Sequence, residues 1–400
     1  MPRPFHLCGV ASSLGSTSLD DLEVRTRSVS RAQVRTWFSQ FDATEEVALL
    51  TTCHRVELVL LVRTAVEVER WLEALPGPAT SWQVREGPDV VQHLFRVAAG
   101  RESLAQGEVE VRQQVRAARR GIESRHPRPV LEGLFSAAID AAERAASPNR
   151  PTRSIAAEAA RLLGELVARP TPHVLIVGAG AVGRQVAELL APTARVTLAY
   201  HVRPPSDEFV RASGVRPIPF VHVAEELRTA DAVVTAIKTG TPCLRATDLP
   251  ADRPLVLLDL GVPRNIDPKV RELPLARLVD LEELYSRSST GLTLGEEDHR
   301  VEHLADQYSV DLERQLQEIW VQAWLASVEE VRRAELDNAR RFWGALTAEQ
   351  EAAVDRLTRR LVTRLFVPPA RRFRALPPGP EGDRRRRFAW ELLRPELGEP

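Results

Sequence analysis

The chain of 400 residues is poor in cysteine and contains no long apolar run. Its three cysteines, Cys8, Cys53 and Cys243, lie far apart, which excludes a disulfide framework and closely spaced metal ligands. No stretch of about 18 apolar residues occurs, so we expect no membrane span. The N-terminal residues show no secretory signal. We therefore expect a cytoplasmic protein without a metal centre.

An excess of charge of one sign is also missing. The chain has 54 basic and 55 acidic residues, for a net charge of -1. This balance does not indicate a nucleic-acid-binding protein, but it does not exclude one, because phosphate contacts need only a local basic patch. Nearly all basic residues are arginines, which we attribute to genome composition. A chain of this length, with 44% hydrophobic and 27% charged residues, predicts two or three globular domains.

Three regions differ in pattern. Residues 1–150 mix short strands and helices, and they end in a Pro-rich segment, 147–153, that predicts a linker. Residues 151–290 alternate apolar runs with helical segments, which predicts a parallel sheet covered by helices. Within the first region we expect strands at 5–10, 46–51 and 56–62, and helices after Ser30, over 89–98 and over 108–120.

Residues 291–400 are predicted to be helical. Residues 296–343 contain neither Pro nor Gly, and a continuous helix of that length spans roughly 70 Å at 1.5 Å per residue. Such a helix must bridge domains or pair with a partner chain. A capping box, Thr347 with Gln350, opens a second helix, which we expect Pro368 and Pro369 to end. The basic run at 384–387 lies in a Pro- and Gly-rich tail, which favours a solvated, mobile segment over an RNA contact.

The segment HVLIVGAGAVGRQVAELL predicts a dinucleotide site. A strand leads into a G-x-G-x-x-G turn and then a helix, whose free N–H groups bind a pyrophosphate. No acid follows the next strand, and His201 and Arg203 stand there instead, which favours NADPH through its 2′-phosphate. The alternatives are a glycine turn without a ligand and a surface role for Arg203. The predicted cofactor-binding residues are Gly178, Ala179, Gly180, Ala181, Val182, Gly183 and Arg203.

Cys53 lies in LLTTCHRVELVL, in a polar break between two apolar strands. The neighbouring His54 and Arg55 favour a thiolate, the reactive form of cysteine. By itself, a free cysteine is more often a small buried apolar residue than a nucleophile. The assignment of Cys53 therefore depends on the rest of the chain.

Several motifs in order resemble the glutamyl-tRNA reductase family. TTCHR is similar to its Thr-Cys-Asn-Arg motif, and 93–115 is similar to its His…Ser…Gly-Glu…Gln segment. LLDLGVPRNIDP resembles an element of its nucleotide-binding domain, and RLTRRLVTRLFVPP resembles its dimerisation segment. The resemblance covers about 5–370. It implies an α/β and α fold: an N-terminal α+β catalytic domain, a Rossmann-type NADPH-binding domain, and a long spinal helix with a C-terminal helical dimerisation domain.

The resemblance also implies roles for individual residues. Cys53 is the implied nucleophile, and His93 is the other implied catalytic residue. Arg55 suits a bidentate grip on the glutamate side-chain carboxylate. The implied substrate-binding residues are Thr52, His54, Arg55, Ser103, Glu108, Val109, Glu110 and Gln114.

The implied activity is the NADPH-dependent reduction of glutamyl-tRNA to glutamate-1-semialdehyde through a Cys53 thioester, the first step of tetrapyrrole synthesis. The implied partners are glutamyl-tRNA, a second copy of the chain and the aminomutase that consumes the aldehyde. The sequence departs from the family at His54, Glu102 and Glu110 and in a short linker. Two alternatives remain: another NADP-dependent oxidoreductase, such as one of the shikimate-dehydrogenase type, and a non-catalytic homologue that acts as a scaffold or regulator.

Overall fold

The computed structural model describes residues 5–52, 54–102, 109–145, 154–288, 296–344, 346–376 and 385. Within these ranges, no helix is both long enough and apolar enough to cross a bilayer. The strands and helices below form an N-terminal sheet domain, a nucleotide-binding domain and a helical C-terminal part.

The N-terminal domain is built on a five-stranded antiparallel sheet in the order β4-β1-β3-β2-β5. Every residue of the central strand β3 is buried, because helices cover both faces of the sheet. This explains why its sequence is an almost continuous apolar run. The strands are β1 His6–Ser13, β2 Thr44–Thr51, β3 Arg55–Val62, β4 Gln83–Glu86 and β5 Glu123–Ser124.

Six helices belong to this domain, and three lie on each face of the sheet. Ser18 and Ser30 cap the first two by accepting backbone N–H groups of their first turns. One face carries α1 Leu19–Ser28, α2 Arg31–Gln40 and α3 Ala65–Ala74, and the other carries α4 Pro88–Ala98, α5 Val109–Arg119 and α6 Val130–Ala145. The predicted strands and helices are confirmed to within a few residues; α1, α3 and α6 were not predicted.

The buried Glu46 of β2 fixes α6 on the sheet. Its two carboxylate oxygens accept the backbone N–H groups of Val130 and Leu131, each at 2.8 Å. A carboxylate is favourable at a helix N-terminus, where N–H groups lack partners within the helix. An acid in an otherwise buried strand therefore serves as an external cap for the helix packed against it.

The second domain is a six-stranded parallel sheet in the order β11-β10-β9-β6-β7-β8. The chain passes from β6 outward through β7 and β8, then returns to place β9 on the other side of β6, so the strand order reverses there. Ligands of open parallel sheets bind at such a reversal, outside the carboxyl ends of the strands. The elements are α7 Ile155–Leu166, β6 His173–Val177, α8 Ala181–Leu190, β7 Arg195–Tyr200, α9 Asp207–Ser213, β8 Arg216–Pro219, α10 Val223–Leu227, β9 Ala232–Thr235, β10 Leu255–Asp259, β11 Ala276–Val279 and α11 Leu281–Ser288.

A helix of 45 residues, α12 Glu296–Arg340, bridges the N-terminal domain and the C-terminal helix, as predicted. Its first half packs on α4 and α6, where Gln92 Nε2 donates to Asp306 Oδ1 at 2.6 Å. Its second half packs on α13 Ala348–Arg374 through Trp320, Trp324 and Phe373. At 1.5 Å per residue, α12 is roughly 66 Å long.

The predicted capping box of Thr347 and Gln350 is confirmed, but the prediction that Pro368 and Pro369 end the helix is wrong. The helix continues to Arg374 although the two prolines lack N–H donors. Tertiary contacts hold the last turn: the Phe373 ring lies 4.1 Å from the Trp320 ring, and the Gln317 amide donates to the Phe373 carbonyl. Packing thus outweighs local propensity here.

Candidate active site

The turn between β2 and β3 carries the predicted nucleophile. The N–H of Thr52 donates to the Arg55 carbonyl at 3.0 Å, and the N–H of His54 donates to Thr52 Oγ1 at 3.2 Å. Thr52 and His54 are buried. Cys53 lies between them and outside the described residues. These two hydrogen bonds join the described residues on either side of Cys53.

A buried cluster of three charged or polar side chains begins directly after this turn. Arg55 and Glu57, two residues apart on β3, project from the same face of the sheet, towards α4. Arg55 Nη1 donates to Glu57 Oε1 at 2.8 Å, and His93 Nε2 lies 3.0 Å from both Glu57 oxygens. The exposed fractions are 2% for Arg55, 3% for Glu57 and 8% for His93. We call Arg55, Glu57 and His93 the carboxylate cluster.

The carboxylate cluster has a defined charge state. Burial raises the pKa of Glu57, but the charges and hydrogen bonds of His93 and Arg55 outweigh burial and lower that pKa to about 2. Burial, and then the charge of Arg55, lower the pKa of His54 to about 3. His54 is therefore neutral near pH 7 and adds no positive charge beside Cys53. Arg55 is left as the cation of this turn.

The hydrogen bond to Glu57 fixes the tautomer of His93. Because an ionised carboxylate only accepts hydrogen bonds, Nε2 carries a proton in either charge state of His93, and in the neutral imidazole Nδ1 carries the lone pair. Nδ1 is buried, and nothing in the described ranges forms a hydrogen bond with it. Glu102 Oε1 lies 4.0 Å from Nδ1. The basic nitrogen of His93 thus faces Glu102, which directly precedes the predicted substrate segment.

Arg55 is turned into the protein. Its Nη2 donates to the Glu102 carbonyl and lies 3.3 Å from His54 Nε2, while Nη1 pairs with Glu57. The Arg55 guanidinium, which was predicted to hold a substrate carboxylate, thus forms its hydrogen bonds within the chain. Its hydrogen bond to the Glu102 carbonyl connects the start of β3 to the segment that follows α4.

The other predicted substrate residues fall after Glu102. Ser103 and Glu108 lie outside the described residues, and Val109 and Glu110 form the first turn of α5. Gln114, one turn further along, is half-buried, and within the described ranges no donor reaches its Oε1. Gln114 therefore offers an unused amide acceptor on α5.

Glu57 and Glu46 were missed by the sequence analysis. Glu57 stands in a strand that is otherwise apolar except for Arg55, and Glu46 directly precedes the apolar run of β2. An acid within or beside an apolar strand was the available signal. Ionised carboxylates are rarely buried without partners. Burial raises the pKa of the Cys8 thiol to about 12 and that of the Cys243 thiol to about 11.

The turn between β6 and α8 contains the three glycines of the predicted dinucleotide site. Gly178 has a φ of 123°, and a Cβ on it would lie 2.5 Å from the Ala236 carbonyl oxygen. A Cβ on Gly183 would lie 1.8 Å from the Gly178 carbonyl oxygen. Chain packing therefore requires both outer glycines. A Cβ on Gly180 meets nothing within 4 Å, so open space remains at the N-terminus of α8, where a pyrophosphate fits.

The residues around this turn support the same site. Ala181 begins α8, while Ala179 and Val182 pack against the domain core. The strand β7 ends at Tyr200, and the exposed His201 and Arg203 follow it. This places a cation where acids bind the ribose hydroxyl in NAD-dependent proteins.

The motif LLDLGVPRNIDP is structural in this chain. The buried Asp259 at the end of β10 accepts N–H groups from Gly261, Asn265 and Ile266 at 2.7–3.0 Å, and the Thr235 hydroxyl at 2.9 Å. The ordered loop presents Arg264, whose N–H donates to Glu23 Oε1 at 2.6 Å and whose guanidinium pairs with Asp20. Since Asp20 and Glu23 lie on α1, this loop contacts the N-terminal domain.

The fold and the site define a class: a protein with a Rossmann-type domain for a nicotinamide nucleotide, joined to an α+β domain with a buried acid–base cluster and to a helical C-terminal part. Three family models match in order. They are "Glutamyl-tRNAGlu reductase, N-terminal domain" at 14–148, "Shikimate / quinate 5-dehydrogenase" at 159–287, and "Glutamyl-tRNAGlu reductase, dimerisation domain" at 298–393. The chain belongs to the glutamyl-tRNA reductase family.

Individual relatives are named glutamyl-tRNA reductase. The glutamyl-tRNA reductase of Haloquadratum walsbyi is 27% identical over 393 residues, with 92% of this chain and 85% of the relative covered. That of Rubrobacter xylanophilus is 28% identical over 361 residues, with 84% and 83% covered. A solved glutamyl-tRNA reductase from Methanopyrus kandleri has 23% identity and a TM-score of 0.49, with 97% of this chain and 98% of that chain covered.

Proposed function

We propose that this protein reduces the glutamyl group of glutamyl-tRNA to glutamate-1-semialdehyde with NADPH and releases the tRNA, the first step of tetrapyrrole synthesis. The observation that carries the proposal is the carboxylate cluster beside the TTCHR turn. It lies within the region that matches the glutamyl-tRNA reductase N-terminal domain model, in a chain that also matches the dimerisation domain model.

The proposed chemistry begins at Cys53. Its thiolate attacks the carbonyl carbon of the ester, the bond from that carbon to the tRNA ribose oxygen breaks, and a thioester remains on the enzyme. When bound by the glycine turn and Arg203, NADPH supplies the hydride for reduction of the acyl group. The open space at Gly180 and the cation after β7 support this choice of cofactor.

His93 is proposed to move the proton at the leaving group. With Nε2 held by Glu57, its Nδ1 is the atom that takes up a proton and delivers it to the departing ribose oxygen. Glu57 is a positioning residue, since it orients the imidazole and stabilises its protonated form. This division of roles rests on the two 3.0 Å contacts of Nε2.

The remaining predicted residues are proposed to line the glutamyl pocket. Arg55 supplies its cation, and Nη2, now bonded to the Glu102 carbonyl, is the donor that a substrate carboxylate takes over. The unused acceptor of Gln114 suits the substrate ammonium group. The full proposed set is Thr52, His54, Arg55, Ser103, Glu108, Val109, Glu110 and Gln114.

A homodimer is proposed through α13. Leu357, Leu361 and Leu365 form one apolar stripe and are 59%, 50% and 63% exposed. Such a stripe is typical of a helix that packs against another copy.

Because the product aldehyde is reactive, direct transfer to the aminomutase is proposed. A cytoplasmic location is proposed because tRNA charging occurs there. The domain boundaries after 150 and 290 are proposed between α6 and α7 and between α11 and α12.

A single-turnover assay with glutamyl-tRNA carrying labelled glutamate tests the proposal. Wild type is expected to form aldehyde only with NADPH, and to hydrolyse the ester slowly without it. Cys53→Ala should do neither, whereas the control Cys243→Ser should match wild type. Reduction by Cys53→Ala would favour a dehydrogenase that needs no thioester. Intact NADPH binding without turnover by wild type would indicate a non-catalytic homologue.

A further inference from the structure

Four arginines form a single row on α13. Arg356, Arg360, Arg364 and Arg371 are spaced i, i+4, i+8 and i+15, which places them on one face of the helix, and all four are exposed. We call this row the arginine stripe. Within the described ranges no carboxylate pairs with any of the four, whereas Arg359 pairs with Asp355 at 2.8 Å and Arg374 with Glu318 at 2.6 Å.

The stability of α13 does not explain the arginine stripe. Residues 356–374 contain seven arginines and no Asp or Glu, in a chain whose net charge is -1. Like charges four residues apart on a helix repel each other and destabilise it. A helix C-terminus favours cations only within its last turn, which excludes all of the stripe but Arg371. A concentration of unpaired guanidinium groups has phosphates as its natural complement.

The stripe is separate from the two other faces of α13. Val362, Phe366 and Phe373 pack against α12 on one side, and the exposed leucine stripe lies on a second. The arginine stripe points away from α12. A second copy of the chain can therefore cover the leucines while the arginines stay available to a different partner.

The arginine stripe also lies far from the catalytic domain, so that only a long ligand can contact both. The helices α12 and α13 run antiparallel, because Arg332 pairs with Asp355 and Glu318 with Arg374. Asp306, which contacts Gln92 beside His93, lies roughly 18 Å from Glu318 along α12 at 1.5 Å per residue. An anion that reaches both the carboxylate cluster and the stripe must be extended and rigid, as a folded RNA is.

We propose that the arginine stripe binds the phosphate backbone of the tRNA at a distance from its aminoacyl end. The inference rests on the proposed function and adds to it the surface that holds the body of the substrate. These contacts are to phosphates, so they contribute affinity and orientation without reading bases.

The test uses the full-length protein and uncharged tRNA(Glu), whose binding needs no chemistry at Cys53. Affinity is measured over a series of KCl concentrations for wild type, Arg360→Gln/Arg364→Gln, and the control Arg211→Gln/Arg228→Gln. The control removes two exposed arginines from the nucleotide-binding domain. The loss of two phosphate contacts should reduce the slope of log K against log [KCl] by roughly 1.4–1.8. In turnover with glutamyl-tRNA, KM should rise about tenfold with kcat unchanged.

The possible results separate cleanly. An unchanged slope of log K against log [KCl] in Arg360→Gln/Arg364→Gln overturns the proposal. Dissociation of the dimer of this variant, measured by light scattering, also overturns it, because the arginine stripe would then be a contact between two copies of the chain. A reduced slope with an intact dimer supports it. Stripe-dependent tRNA binding without aldehyde formation by wild type would refute the proposed function alone. Aldehyde formation with an unchanged slope would refute the stripe alone.

Discussion

Replacement of Glu57 by Gln removes the buried negative charge on which Arg55 and His93 depend. The loss of one partner of a buried ion pair costs about 3–5 kcal/mol, because the other charge stays buried. Gln keeps one carbonyl oxygen that accepts a hydrogen bond, so we expect the lower end, about 3 kcal/mol. Such a loss raises the hydrogen-exchange rate of the β3 amides roughly 100-fold.

The same variant alters the pH dependence of stability. The folded-state pKa of Glu57 is about 2, below its ordinary value of 4.5. A depressed carboxylate pKa stabilises the fold fully above pH 4.5, and this contribution is lost as pH falls from 4.5 towards 2. Its size is about 3 kcal/mol at 1.36 kcal/mol per pKa unit. Glu57→Gln should lack this acid-dependent loss.

Hydrogen exchange of β3 peptides in the intact protein, measured from pH 5 to pH 3, tests both expectations. Glu86→Gln, an exposed position on β4 of the same sheet, is the matched control. Ester cleavage by Glu57→Gln should fall about 100-fold, the lower end for general acid–base catalysis, because the tautomer of His93 is no longer fixed. Equal β3 protection and equal pH dependence in wild type and Glu57→Gln would refute the reasoning.

Two further predictions concern the proposed dinucleotide site. Gly180→Ala should fold normally, because its Cβ meets no atom within 4 Å, but it should weaken NADPH binding at least tenfold by filling the space for the pyrophosphate. Gly183→Ala should instead lower the melting temperature, because its Cβ collides with the Gly178 carbonyl oxygen. Calorimetry and cofactor titration of both variants check this pair, and normal cofactor affinity in Gly180→Ala would contradict the assigned site. Arg203→Glu should reverse the preference for NADPH over NADH, measured as the ratio of the two dissociation constants; an unchanged ratio would leave Arg203 a surface residue.

The sequence predicted most elements whose pattern depends on burial. The strands predicted at 46–51 and 56–62 and the parallel sheet predicted within 151–290 are confirmed, because buried strands consist largely of apolar residues. The helix α13 was predicted too short, because the contact of Phe373 with Trp320 is invisible in local sequence. Boundaries set by tertiary packing cannot be derived from propensity.

The candidate site was predicted through its motifs but not through its electrostatics. Two features needed coordinates: Glu57, which joins Arg55 to His93, and the burial that keeps His54 neutral. Period-two alternation along a strand puts Arg55 and Glu57 on one face, but the sequence does not show that α4 brings His93 to the same carboxylate. A contact between residues 36 positions apart depends on how the helix crosses the sheet.

The length of α12 makes it a lever. One end is fixed to the catalytic domain by Gln92 and Asp306, and the other carries α13 with its leucines and arginines. Over a rod of roughly 66 Å, a tilt of about 5° displaces the far end by roughly 6 Å. Substitutions at the fixed end therefore affect a distant surface. A small change in how α12 packs on α4 moves the leucines and arginines of α13, without any change in the residues that form that surface.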